Sequence, residues 1–246
     1  MKIQPSGDRG ILITLGEGID PETNRKVTAL AAAISNEQIM GVEDLIPSYN
    51  QLSIQYNPLI SDYDSICRIA KLLEDSLGEM TKAKQEILHI PVLYGGETGK
   101  DLAFVASYSN LPEEEVINIH TSTAYLIYML GFTPGFPYLG GLSEKIRTPR
   151  LSEPRQKIKA GSVGIADNQT GIYPIDSPGG WRIIGHTPVV LFDWNNTPPA
   201  LFKTGQYIRF YSVTEEEYEA IKQDIKTGRF TIRTEDFDGR KLEVIK

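Results

Sequence analysis

The sequence predicts an N-terminal α+β domain of ferredoxin-like βαββαβ type, followed by a mainly β domain closed into a small barrel. Three observations carry this reading. Residues 1–92 alternate segments of period-two and helical apolar spacing. Residues 159–213 are short extended segments punctuated by glycine and proline. Between residues 131 and 188 the chain holds ten glycines and seven prolines, a density that specifies tight turns and close backbone approach rather than long regular elements.

In order, residues 11–15 (ILITL) read as a strand behind the turn Ser6-Gly7-Asp8. Asp20 is placed to cap a helix with Pro21 at its first position, and Val27, Leu30, Ala31 and Ile34 share one face. Residues 42–46 and 51–56 read as extended, the second alternating Leu52, Ile54 and Tyr56. Ser61 or Asp62 caps a second helix with Ile66, Ile69, Ala70, Leu73 and Leu77 on its apolar face and Gly78 as its C-terminal stop. A strand at 86–92 completes the βαββαβ order, which sets the expected domains at 1–92 and 93–246. In the second, a short helix is expected at 101–107 and a longer one over 113–130, with three glutamates in its first turn where the dipole favours them. A polar helix at 215–226 and an extended segment at 230–233 end the pattern.

Composition narrows the function classes. The 246 residues carry a formal net charge of −7, and no basic stripe is available to neutralise a nucleic-acid backbone. The longest apolar run, 125–130, is too short to span a bilayer. The N-terminal MKIQPSGDRG lacks an apolar signal core, so the expected location is the cytoplasm. Cys67 is the single cysteine and reads as a buried, inert thiol.

Candidate chemistry gathers in the second half. Gly95-Gly96-Glu97-Thr98-Gly99-Lys100 imitates a phosphate-binding loop, but Asp101 stands where a magnesium-binding Ser or Thr is needed, so it reads as a glycine turn. The three histidines have no metal-ligand spacing, and no metal site is expected. His120 shares a helical row with Val116 and Ala124, pointing at a core or a pocket floor, where it is either a satisfied core residue or a general base. Arg150 and Arg155 are the better-restrained members of a basic cluster able to fork onto a carboxylate or phosphate. Gln169 suits an amide, since it both donates and accepts. The backbone amides of Gly161, Gly164, Gly179 and Gly180, and the hydroxyl of Ser162, are candidate donors to a carbonyl. Phe132, Phe136, Tyr138, Tyr173 and Trp181 interleave with these as a substrate wall or docking patch. No complete set of base, nucleophile and metal is present, so the chain does not read as an enzyme by itself.

Taken together, GFTPGFPYLGGL at 131–142, TPR at 148–150, AGSVGIADNQTGIYP at 160–174 and SPGGWRIIGHTPVVLFD at 177–193 resemble the allophanate hydrolase subunit 1, or Kip-type kinase inhibitor, family, which includes the B-type subunit of bacterial ATP-dependent 5-oxoprolinase. The likeness extends to YGGETG at 94–99 and over nearly the whole chain; Lys100, Lys159 and His186 depart from the family's usual residues. It implies a ferredoxin-like first domain and a cyclophilin-like β-barrel second domain. It also implies ATP as co-substrate of a complex with homologous C-type and A-type subunits, opening 5-oxoproline to glutamate. A histidine-kinase inhibitor acting through an exposed Phe132, Phe136 and Tyr138 patch, and an allophanate hydrolase-like amidohydrolase subunit, are the alternatives the family name leaves open.

Overall fold

The computed structural model describes residues 1–75, 77 and 85–237, and the chain divides into two units, Met1–Lys84 and Gln85–Lys246. In the first, the strands β1 (Lys2–Pro5) and β2 (Gly10–Thr14) form a hairpin ahead of helix α1 (Pro21–Asn36). Asp20 caps that helix by accepting from the Thr23 amide at 2.7 Å, satisfying one of its orphan donors. Strands β3 (Val42–Pro47) and β4 (Gln51–Tyr56) and helix α2 (Tyr63–Asp75) follow. Asp62, not Ser61, opens α2, accepting from Ser65 N at 2.8 Å. The sheet is antiparallel in the order β1-β2-β4-β3. Its inward residues Ile11, Ile13, Leu52 and Ile54 pack on Val27, Leu30, Ile34 and Ile66 of the two helices. Cys67 is buried in this core, and burial pushes its thiol pKa up. The expected Gly78 stop lies outside the described residues.

The expected βαββαβ order is corrected at both ends. β1 was absent from the sequence reading, and the strand expected to close this sheet, β5 (Gln85–Tyr94), pairs in the second unit. The contact division therefore falls at 84/85 rather than 92/93. The reason is burial. Residues Ile87 to Val92 are buried without alternation, as a strand covered on both faces requires.

The second unit continues with α3 (Leu102–Ser109), α4 (Glu113–Ser122), β6 (Ala124–Leu130) and β7 (Pro137–Gly140). Then come β8 (Arg155–Ile158), β9 (Ser162–Ala166), β10 (Gln169–Ile172), β11 (Ser177–Gly179), β12 (Arg182–His186), β13 (Tyr207–Ser212), α5 (Glu215–Lys226) and β14 (Thr234–Phe237). Seven strands close a mixed barrel in the order β12-β9-β10-β7-β6-β13-β5, and β12 returns to β5 through Gly185–Tyr94 and His186–Leu93. β13 and β5 run parallel. Pro91 is tolerated in this strand because β14 pairs with residues 85–88 and β12 with 93–94 on the same edge. It falls between them, where no ladder needs its missing N–H.

The helix expected over 113–130 is two elements. Thr123 is extended (φ −102°, ψ 143°) and ends α4. The apolar run 125–130 then becomes β6, a central barrel strand. Continuous apolar runs do not by themselves distinguish buried strand from buried helix. The last strand among the described residues lies at Thr234–Phe237 rather than 230–233, while α5 has the expected bounds and a capping box between Thr214 and Glu217.

Glycines make room for rings. A Cβ on Gly171 would stand 2.9 Å from Trp181 Cζ3 and 3.1 Å from both Phe136 Cζ and Pro137 O. Gly171→Ala is therefore expected to destabilise the protein by about 1–3 kcal/mol through overpacking, read as a lowered midpoint in urea denaturation; an unchanged midpoint contradicts this packing.

Candidate functional site

The barrel interior is built on His120, which is 0% exposed. The end of α4 carries it onto Phe210 of β13, with ring centroids 4.7 Å apart and nearly parallel. Thr170 Oγ1 donates to Gly164 O at 3.0 Å, so it accepts from His120 Nε2, 2.8 Å away. Nδ1 must then be the acceptor for the Tyr94 hydroxyl at 2.7 Å. Both ring nitrogens are used, and burial lowers the histidine pKa from 6.5 to about 3. In this arrangement the ring is a neutral interior hub and offers no free lone pair to a reactant. His186 repeats the pattern nearer the surface. Its Nε2 donates to Ala160 O at 2.7 Å, its Nδ1 accepts from the Tyr218 hydroxyl at 2.8 Å, and burial lowers its pKa.

The aromatic residues divide. Phe136, Tyr173 and Trp181 form a buried cluster with Ile158 and Ile183, against which Tyr138 is half-buried. Phe136 meets Tyr173 and Trp181 edge-on, a favourable quadrupole geometry. The expected exposed patch of Phe132, Phe136 and Tyr138 is corrected accordingly: Phe136 is 1% exposed, while Phe132 is 64% exposed. Phe136 is taken inward because β6 and β7 pair immediately before and after the 131–136 turn.

The glycine amides are mostly occupied by the fold. Gly161 (φ +86°) donates to Tyr173 O at 2.7 Å and accepts from Thr187 N. Gly164 lies inside the ladder between Gly171 and Ile183. Gly179 pairs with Arg155, and Gly180 offers its carbonyl to Leu151 N. Ser162 is buried beside Gly161, its carbonyl accepting from Tyr173 N. Gly161 and Gly164 thus hold strands together rather than present an oxyanion pocket. The turn at 95–101 behaves likewise. Gly95 donates to Ile184 O, Gly99 to Gly95 O and Asp101 to Ile183 O, leaving those amides spent within the protein instead of on a phosphate.

Charged and polar side chains remain. Arg155 makes a two-pronged pair with Asp101, at 2.9 and 2.8 Å, and Asp101 also accepts from Ile183 N at 2.7 Å. That hydrogen-bonded pair raises the guanidinium pKa. Asp101 was missed by sequence reasoning except as a disqualifier of the phosphate loop; nothing local marks a partner 54 residues away. Arg150 Nε donates to Asp167 at 3.3 Å, and Asp167 sits at φ +53° in the two-residue turn between β9 and β10. Gln169 opens β10 beside that turn. Burial pushes the Tyr173 phenol up to about 12. Arg182, also missed, donates through Nε to Pro149 O at 3.2 Å and lies 3.7 Å above the centre of the Phe104 ring. Arg150, Arg182, Gln169 and the 148–151 segment thus lie around the β9–β10 turn at one edge of the barrel; His120 is inside it.

Two shallow cavities lie elsewhere. One of about 380 Å³ is lined by Ile34, Ile39 and Val42–Leu45 residues of the first unit, the other, of about 330 Å³, by Val190, Asp193 and residues 196–201. Neither includes the arginine edge. Among the described residues no three His, Cys, Asp or Glu side chains converge as metal ligands, and no described helix is long and apolar enough to cross a membrane.

Comparison with known proteins is consistent along the chain. The family described as carboxyltransferase domain, subdomain C and D, matches residues 1–202. The B-type subunit of 5-oxoprolinase from Bacillus subtilis (strain 168) is 41% identical over 233 residues, covering 91% of this chain and 97% of its own. The protein of the same name from Escherichia coli O157:H7 is 39% identical over 205 residues, covering 83% and 92%. A crystal structure of TTHA0988 superposes with a TM-score of 0.76 at 36% identity, covering 84% of this chain; the chain spans 40% of that longer polypeptide.

Proposed function

The chain belongs to the carboxyltransferase domain, subdomain C and D, family, and from that membership we infer that it acts as the B-type component of a 5-oxoprolinase. The carrying observation is 41% identity over 97% of the length of a protein of that name. The reaction opens the lactam of 5-oxoproline to glutamate. A lactam is a poor electrophile, and ATP, as co-substrate of the complex, supplies the activation. Homologous C-type and A-type subunits are the partners of this reading. His120 and His186 have both ring nitrogens engaged, so in this reading neither acts as the free base.

The contribution of this chain is substrate grip at the arginine edge. Arg150 meets the carboxylate and Gln169 the lactam amide, with Tyr138 as the adjoining wall. The inhibitor reading required a patch that included Phe136, and that ring is buried.

The test is ATP-dependent glutamate formation from 5-oxoproline with the cognate A-type and C-type subunits, each component omitted in turn. Activity is expected to vanish when this chain is left out; undiminished activity without it sinks the reading. In the same assay Arg150→Ala is expected to raise KM for 5-oxoproline about tenfold or more, the scale of a lost charge-assisted hydrogen bond. An unchanged KM removes Arg150 from the grip.

A further inference from the structure

Most cations on the barrel's motif-bearing edge are spent on carboxylates. Arg155 gives both terminal nitrogens to Asp101, Arg147 pairs with Glu144 and Lys157 with Asp176. Arg150 and Arg182 differ. Each is fixed through its Nε, to Asp167 and to Pro149 O, and among the described residues neither has a partner on its terminal nitrogens. The anchor of Arg182, Pro149, immediately precedes Arg150 in the segment that bridges Asp167 and Gly180. The Arg182 guanidinium is held flat on Phe104 at 3.7 Å, a stacked geometry open to arginine and not to lysine.

We propose that Arg150 and Arg182 together form a receptor for one oxyanion group, with Phe104 setting the plane of the second guanidinium. Two open forks match the oxygens of a carboxylate or phosphoryl group. Asp167 offsets one of the two charges and no described carboxylate pairs with Arg182, so the site carries about one net positive charge and favours a monoanionic carboxylate. The 5-oxoprolinase reading supplies the identity of that ligand, 5-oxoproline; the receptor itself follows from the arginine geometry.

Titration calorimetry of the full chain tests it with three probes: 5-oxoproline, 2-pyrrolidinone (the same lactam without its carboxylate) and inorganic phosphate. The expected result is binding of 5-oxoproline, none of 2-pyrrolidinone, and about tenfold or greater weakening in Arg182→Gln and in Arg150→Gln. Arg182→Lys is expected not to restore affinity, because it keeps the charge and loses the fork. Binding of phosphate that competes with 5-oxoproline also supports the receptor and extends it to phosphoryl groups. Equal affinity for 2-pyrrolidinone, wild-type affinity in both Gln variants, or no heat with any probe overturns the proposal. Thermal melting of each variant checks that the fold is intact. The two readings separate in the reconstituted complex. Activity that needs this chain, with KM unchanged in both Gln variants, sinks the receptor alone. A complete but inactive complex in which this chain still binds 5-oxoproline through both arginines sinks the 5-oxoprolinase reading alone.

Discussion

His120→Ala is expected to lower the stability of the barrel unit by about 3–5 kcal/mol, the range for deleting a buried ring. The ring is fully buried and stacked on Phe210, and its removal strips the Tyr94 hydroxyl of its acceptor and Thr170 of its donor. Buried groups left unpaired add to the cavity cost. A pH signature distinguishes this role from a surface one. The folded-state pKa is depressed from 6.5 to about 3, so below 6.5 the unfolded chain binds a proton that the folded chain refuses. The stabilisation from a neutral His120 is whole above pH 6.5 and falls away as pH drops toward 3. The slope is about 1.4 kcal/mol per pH unit, or roughly 2 kcal/mol between pH 7 and pH 5. His186, also depressed by burial, adds in the same direction. Urea denaturation of the wild type and His120→Gln at both pH values checks this: the wild type should lose more on acidification. Equal losses would mean that His120 is not a buried neutral hub.

Asp101→Ala is expected to cost about 3–5 kcal/mol, the penalty for removing one partner of a buried ion pair. The lower end applies, because the Arg155 side chain keeps 33% exposure and recovers some solvation. Asp101 is 8% exposed at its side chain and satisfies three donors at once: two from Arg155 and the Ile183 amide. These tie the turn before α3 to β12 and to the β8–β11 ribbon. Asp101→Asn keeps an acceptor for Ile183 and removes the charge, so an intermediate loss is expected. A double-mutant cycle with Arg155→Ala isolates the pair. A coupling near zero would show that the carboxylate serves Ile183 alone.

Local chemistry wrote much of this fold into the sequence. Asp20 before Pro21, the alternation of Leu52, Ile54 and Tyr56, and the polar helix at 215–226 each depend on residues a few positions apart, and each forms as read. The long motifs between Gly131 and Asp193 identified the family for the same reason: the order of residues is their whole content. The glycine density between 131 and 188 was legible as close backbone approach, though not what a side chain at Gly161 or Gly171 would meet.

The tertiary structure decided what depends on distant partners. β5 and β6 are apolar runs whose periodicity is silent, and closing the barrel made β5 a strand of the second unit and turned the end of an expected helix into β6. His120 read as either a satisfied core residue or a base until Tyr94 and Thr170 consumed both nitrogens. Phe136 and Phe132 are four residues apart in one loop, yet only the buried cluster of Tyr173 and Trp181 determines which faces solvent. Arg150, Arg155 and Arg182 look alike in sequence. A carboxylate 54 residues upstream closes the fork of Arg155, while among the described residues Arg150 and Arg182 are hydrogen-bonded only through Nε. Periodicity and capping report on neighbours along the chain; whether a charge is spent or available is fixed by what the barrel brings to it.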